Sequence, residues 1–194
     1  MSRRACHDRA VIEVRRRRPE DLEELTEVLV AQQPSTRYPF RNPLPIPIHD
    51  FLHADDADGA WTAEIDGAPV GHIVYTRDRD DFPGLAEMTR TCAGAHGCDA
   101  DRLAWISAFF VAGDRRGKGI GRSLLTTAVD EIRRSGLHPC LEVLPVHPGA
   151  LALYASTGWR EVMRLRPDWL TSEQGDEGPD VLVMVLPDES RGLP

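Results

Sequence analysis

Three glycines at alternate positions, Gly117, Gly119 and Gly121, stand among Arg115, Arg116, Lys118 and Arg122 in the run RRGKGIGRSLL. Bare backbone beside positive charge is chemistry for an anion, above all a phosphate. The run passes directly into apolar residues at helical spacing: Ile120, Leu124, Leu125, Ala128, Val129 and Ile132. The first turn of a helix leaves backbone N–H groups without partners and carries partial positive charge. The glycines therefore read as a phosphate cradle at a helix start, with the four basic side chains adding charge.

Neither common nucleotide loop fits. A Walker A loop needs G-x-x-x-x-G-K-[ST]. Here Gly113 to Gly117 is one residue short, and Gly119 follows Lys118 where the magnesium-binding hydroxyl should stand. The dinucleotide fingerprint needs G-x-G-x-x-G, and Arg122 takes the place of its last glycine. A nucleoside triphosphate site is therefore the weakest reading.

Further along, LEV at Leu141–Val143 is followed by ALALYASTGW at Ala150–Trp159. Strand alternation puts Cys140, Glu142 and Leu144 on one face. A carboxylate in a central strand is costly unless it meets water or a partner, so Glu142 is a candidate base or an acid that attracts cations.

Arg116, Gly119 and Gly121 satisfy R-x-x-G-x-G. Ala150, Leu153, Tyr154, Gly158 and Trp159 satisfy A-x-x-L-Y-x-x-x-G-[FW], with the L-x-V strand between them. In this order and separation the motifs resemble the GNAT superfamily of N-acetyltransferases, over roughly Val11 to Leu186. The resemblance implies an α/β single domain with a mixed β-sheet flanked by helices, and acetyl-CoA as co-substrate. It implies that the cofactor phosphates lie on backbone amides from Gly117 through Lys118, Gly119, Ile120 and Gly121 to Arg122. The pantetheine arm then runs beside Phe109, Phe110 and Val111. Many relatives carry an asparagine that touches this arm where the present chain has His147, followed by Pro148. An imidazole can make one such hydrogen bond, or it can cap the following helix.

Acetyl transfer by direct attack, through a tetrahedral intermediate, asks three things of a site. The amine must be neutral, and for a lysine-like amine this costs about 4–5 kcal/mol at pH 7. The oxyanion needs a donor, which the resemblance assigns to a backbone N–H near Val111. The departing thiolate gains from a proton, and Tyr154 matches the family's general acid; the alternative is a packing tyrosine that only touches the sulfur. Glu142 matches the base of some protein N-terminal acetyltransferases, with a water relay as the alternative. The leading expectation is an N-acetyltransferase acting on a small-molecule or peptide primary amine. The other is a non-catalytic acyl-CoA-binding or sensor module of the same fold.

These residues need elements to hold them. Val11–Arg16 reads as a strand. Pro19 opens a helix with Leu22, Leu25, Val28 and Leu29 at helical spacing. Pro34 to Pro47, with five prolines, reads as a loop, and Ile48–His53 as a short helix. Tyr38, Arg37 and His49 lie in this stretch, where the family's acceptor sites gather residues. Trp61–Ile65 and Pro69–Thr76 read as a hairpin turning at Asp66-Gly67. Arg77 to Arg102 reads as irregular, with Cys92, His96 and Cys98 in a small surface loop rather than a zinc site. Leu103–Val111 is apolar nearly throughout, as a buried central strand is. Gly136 closes the helix behind the glycine loop. Strands follow at Cys140–Leu144, Trp159–Leu165 and Val181–Leu186, with a helix at Pro148–Thr157 and an acidic loop at 171–180.

The length of 194 residues suits one domain, here residues 11–187 between a flexible N-terminus (1–10) and a flexible tail (188–194). A net charge of −8 argues against a nucleic-acid partner. Yet Gly113 to Gly136 holds six basic residues against three acidic ones, a basic island in an acidic chain that suits one anionic ligand. No apolar run approaches the ~20 residues of a membrane span, and the start lacks a signal peptide's apolar stretch. Cys6, Cys92, Cys98 and Cys140 are few and irregularly spaced, as reduced thiols are. The expectation is a cytoplasmic protein with no metal, and a homodimer in keeping with the family's habit.

Overall fold

The computed structural model describes residues 11–188 except 56, 78, 80–82 and 175–176. The expected flexible ends lie outside these residues, apart from Asp188, whose carboxylate is 3.6 Å from Arg133 Nε. The chain runs β1 (Ile12–Arg16), α1 (Asp21–Thr36), α2 (Ile48–His53), β2 (Gly59–Ile65), β3 (Ala68–Thr76), α3 (Leu85–His96), β4 (Leu103–Val111), α4 (Ile120–Arg134), β5 (His138–Val143), α5 (Pro148–Ser156), β6 (Arg160–Leu165), α6 (Asp168–Gln174) and β7 (Val181–Val185). The seven strands form one mixed sheet in the order β1-β2-β3-β4-β5-β7-β6. Only the β4–β5 pair is parallel.

Local chemistry explains most of this. The β2–β3 hairpin turns at Asp66 (φ 52°) and Gly67 (φ 85°), the left-handed pair that a tight two-residue turn requires. The apolar stripe of α4 packs on one face of the sheet, against Trp61, Ile73, Ala104, Ile106 and Leu141. On the other face Leu22, Leu25 and Leu29 of α1 join Leu52 of α2 over Val74, Ala108 and Phe110.

Three expectations are corrected. The stretch read as irregular contains α3, capped at both ends by left-handed glycines, Gly84 and Gly97. Its buried face is Met88, Cys92, Ala93 and His96, which covers Trp105, Cys140, Val183 and Val185 of the sheet. Cys92 and His96 are thus buried helix residues, and the His96 ring nitrogen bonds the Pro139 carbonyl at 3.2 Å. Second, α1 continues through Pro34 to Thr36. A proline in the last turn removes one N–H, and the helix then ends at once, at left-handed Arg37. Third, the acidic stretch begins inside α6, whose Leu170 is fully buried.

Asp21 joins the first strands to α1. Arg15 donates to its two oxygens at 2.7 and 2.8 Å, the Arg18 N–H at 2.8 Å and the Thr62 hydroxyl at 2.9 Å. Burial raises the carboxyl's pKa, but these donors outweigh it and bring it from 3.8 down to about 2. A depressed carboxyl contributes stability that is present above its unfolded pKa and lost as pH falls through the folded one. Asp21→Asn is therefore expected to cost about 2 kcal/mol at pH 7. In urea unfolding the wild type weakens as pH drops from about 4 toward 2, and the variant lacks that component.

Candidate active site

Pairing between β4 and β5 runs only from Leu103 opposite His138 to Ile106 opposite Leu141. Past that point the two strands part, and the opening widens into a cavity of about 820 Å³. Ser107, Phe109, Phe110 and Val111 line one wall, Glu142, Val143 and Leu144 the other.

A bulge in β4 shapes the first wall. His72 lies opposite Phe110 but Val74 lies opposite Ser107, so Ala108 and Phe109 face Ile73 alone. Ala108 takes a left-handed φ of 43°. Its carbonyl accepts a 3.0 Å bond from Nδ1 of His72, a fully buried ring on β3. Burial drives the His72 pKa down to about 3 against the pull of that carbonyl, so the ring is neutral at working pH. The proton then sits on Nδ1, and Nε2 faces Arg17 at 3.4 Å. Arg17 in turn donates to the carbonyls of Leu52 and His53. His72 thus holds the bulge. His72→Ala is expected to cost about 2–3 kcal/mol by leaving the Ala108 carbonyl unpaired. It should also weaken acetyl-CoA binding about tenfold, the weight of one misplaced hydrogen bond. His72→Asn, whose amide can donate in the same place, should restore much of both in denaturation and calorimetric titration.

At the far end of the bulge, the Ala112 N–H pairs with the Val70 carbonyl at 2.8 Å. Antiparallel pairing alternates, so the Val111 N–H points away from β3 and into the opening. The Val111 carbonyl points the same way and accepts a 3.0 Å bond from Arg116 Nε. Arg116 Nη2 also donates to Gln32 on α1 at 3.1 Å. Arg116 therefore fastens the glycine loop to β4 and α1 as well as lining the cavity.

The loop itself is open. Gly117 (φ 76°) and Gly119 (φ 85°) have the left-handed backbone that glycine allows, and a Cβ at either meets nothing within 4 Å. Gly121 differs: its backbone is ordinary, and a Cβ there would make only van der Waals contacts at 3.6–3.7 Å with Leu153, Phe109 and Val111. The fold does not require glycine at 121, whereas a ligand pressing on the helix start would. The first intrahelical bond is from the Ser123 N–H to the Gly119 carbonyl at 3.0 Å. The N–H groups of Ile120, Gly121 and Arg122 are therefore the turn's orphan donors, as a bound phosphate needs. Arg122 lines the cavity and donates to Ser156 at 2.8 Å. Lys118 is exposed and stands outside the lining, whereas Arg115 lies within it.

Tyr154 of α5 is buried under the split, its ring 6.5 Å from Phe109 and 5.8 Å from Trp159. Burial, then the nearby Tyr38, push its phenol pKa well above the ordinary value of 10.0. It is thus protonated at any working pH. His147 occupies the N-cap position of α5 but makes no side-chain cap bond, which corrects the capping alternative. Its ring instead lines the cavity, 5.9 Å from Tyr38. Burial, then Arg116 and Arg37, lower its pKa, which keeps it neutral. Glu142 lines the cavity with one oxygen bonded by Arg79, whose guanidinium lies 4.9 Å from the Trp105 ring centroid.

Sequence reasoning missed Arg79, His72, Phe40 and Trp169, and left Tyr38 as a loop residue; of these, Tyr38, Phe40 and Trp169 line the cavity. Only Tyr38 carried a signal, its place after α1. His49 is exposed and outside the lining. Among the described residues no group of three His, Cys, Asp or Glu side chains is placed to hold a metal. No helix among them is long and apolar enough to cross a membrane.

The fold has many solved counterparts. The structure of yncA from Salmonella typhimurium, with its cofactor acetyl-CoA, is 18% identical, covers 94% of this chain and 97% of that one, and superposes with a TM-score of 0.65. The ribosomal-protein-S18-alanine N-acetyltransferase of Escherichia coli is 17% identical, with 94% and 99% covered and a TM-score of 0.60. The ribosomal-protein-alanine N-acetyltransferase of Brucella melitensis is 23% identical, with 89% and 98% covered and a TM-score of 0.63. No curated protein matches the sequence. A profile of the acetyltransferase (GNAT) family, whose co-substrate is acetyl-CoA, matches residues 22–159, from α1 through the glycine loop to the end of the Tyr154 motif. That span holds both walls of the split and the cradle between them, and the chain belongs to the acetyltransferase (GNAT) family.

Proposed function

We propose that the protein is an N-acetyltransferase that moves the acetyl group of acetyl-CoA to a primary amine by direct attack. One observation carries this reading. A single cavity joins a glycine cradle at a helix start to a buried, protonated phenol and a carboxylate, across two parted strands.

The thioester supplies an activated acyl group. The orphan N–H groups at the start of α4 hold its phosphates, and the parted edge of β4 accompanies the pantetheine arm. The Val111 N–H serves the oxyanion, which counts heavily where water is excluded. Glu142, held in orientation by Arg79, receives the ammonium proton directly or through water. The amine nitrogen bonds to the carbonyl carbon, the C–S bond breaks, and sulfur leaves with the electron pair and takes the Tyr154 proton. Glu142 releases the ammonium proton to solvent, and the second proton, shed by the nitrogen as it becomes an amide, returns to the phenolate through solvent, which closes the cycle. Cys92 and Cys140, buried as free thiols in one apolar cluster, suit the reducing cytoplasm.

The test follows thiol release from acetyl-CoA with a panel of amines and identifies the N-acetyl product by mass. Thiol release that depends on an amine is the expected result. Tight acetyl-CoA binding with no release from any amine would instead identify a non-catalytic acyl-CoA-binding module.

A further inference from the structure

We infer, on the footing of the acetyl-transfer reading, that the acceptor is a monoamine on an apolar body of aromatic size, and not a polyamine or a protein N-terminus. The first argument is charge. Among the described lining residues the charged side chains are Arg115, Arg116 and Arg122, at the cradle, and one acid, Glu142. That acid is already ion-paired with Arg79. Two more guanidiniums stand over the aromatic residues at the acceptor end: Arg37 is 5.1 Å from the Phe40 ring centroid and Arg41 is 5.6 Å from that of Trp169. A molecule with several ammonium groups needs several carboxylates to replace the water it loses. Among the described lining residues only Glu142 can serve, and it can serve one.

The second argument is the wall beyond Glu142. Leu144, Leu170 and Val181 form a small apolar cluster, with Phe40, Val146 and Trp169 packed against it. Phe40 comes from the loop between α1 and α2, Trp169 from α6 in the β6–β7 connection. Their rings lie 6.3 Å apart, and both line the cavity. Ring contact ties the two connections together over the apolar cluster, where a peptide continuing from its first residue would need passage. An aryl group on a short stem gains from this wall by apolar burial and ring packing. The same dry wall favours the uncharged form of the amine, the form that attacks.

The experiment compares 2-phenylethylamine, spermidine and a tetrapeptide with an N-terminal alanine at saturating acetyl-CoA, in wild type, Trp169→Ala, Trp169→Phe and Phe40→Ala. The expected kcat/KM for 2-phenylethylamine exceeds that of the other two by at least about tenfold. Trp169→Ala and Phe40→Ala are expected to raise its KM by about tenfold and leave the KM for acetyl-CoA unchanged, with Trp169→Phe recovering part of the loss. Equal or better turnover of spermidine or the peptide overturns the acceptor class and leaves acetyl transfer standing. An unchanged KM for 2-phenylethylamine in both alanine variants overturns the site. Absence of thiol release from all three amines, in protein that binds acetyl-CoA, overturns this inference, and acetyl transfer falls with it when the wider amine panel is inert as well.

Discussion

Gly119→Glu is expected to weaken acetyl-CoA binding by roughly 100–1000-fold in calorimetric titration, while Gly121→Ala weakens it by about tenfold without destabilising the protein. Gly119 precedes α4 with a φ of 85° and nothing within 4 Å of a built Cβ. A carboxylate there faces the pyrophosphate. Two unit charges about 4 Å apart repel by about 4 kcal/mol at the effective dielectric near a protein surface, and each 1.4 kcal/mol is tenfold in affinity. The left-handed backbone adds about 1–2 kcal/mol of strain to the folded protein for any side chain at 119. Denaturation must therefore accompany the titration of this variant. Gly121→Ala separates the two effects. Its Cβ meets only ordinary contacts at 3.6–3.7 Å, and alanine in a helix is more favourable than glycine by up to about 1 kcal/mol. Loss of affinity with a gain in stability cannot come from misfolding. Unchanged affinity in Gly121→Ala would mean that no ligand presses on the start of α4.

The parts of the site that lie within one stretch of chain were legible in the sequence. The glycine loop and the α4 stripe are local patterns, and so are the hairpin at Asp66-Gly67 and the helix that carries Tyr154. The split between β4 and β5 was not legible. LAWISAFFV reads as an unbroken buried strand, and nothing in it announces that Ala108 turns left-handed or that pairing with β5 stops at Ile106. The resemblance supplied an expected place for the cofactor arm, while the means of holding the wall is a histidine 36 positions away. α3 escaped detection for a different reason. Its buried face is Met, Cys, Ala and His, with no large aliphatic stripe to set the helical period. Trp169 lines the cavity beside Phe40, and Arg79 pairs with the lining Glu142, contacts that only the folded chain creates. Nothing in the overall acidity announces that the guanidiniums of Arg37 and Arg41 gather over Phe40 and Trp169.

Tyr154→Phe is expected to lower kcat by about 100-fold, within the usual range for general acid catalysis, and to change the KM for acetyl-CoA by no more than about twofold. The ring is buried against Phe109 and Trp159, and phenylalanine keeps all of that packing. What it removes is the hydroxyl. Among the described residues that hydroxyl has no protein hydrogen-bond partner, which leaves it available to the leaving sulfur. Burial and the neighbouring Tyr38 hold its pKa above the ordinary phenol value. It is therefore protonated when the thioester arrives, yet a weaker acid than a free phenol. A thiol has a pKa of about 8.5, so full transfer to a free thiolate would run uphill. In the proposed reaction the proton therefore moves as the C–S bond breaks, while sulfur is gaining charge and the Val111 N–H serves the oxyanion. Two consequences distinguish this role from packing. The wild-type rate should show no decline from Tyr154 ionisation up to about pH 10. The loss in Tyr154→Phe should fall on kcat, read in single turnover, with stability equal to or above that of the wild type. A variant that keeps kcat and loses only acetyl-CoA affinity would make Tyr154 a contact to the cofactor and leave solvent to protonate the sulfur.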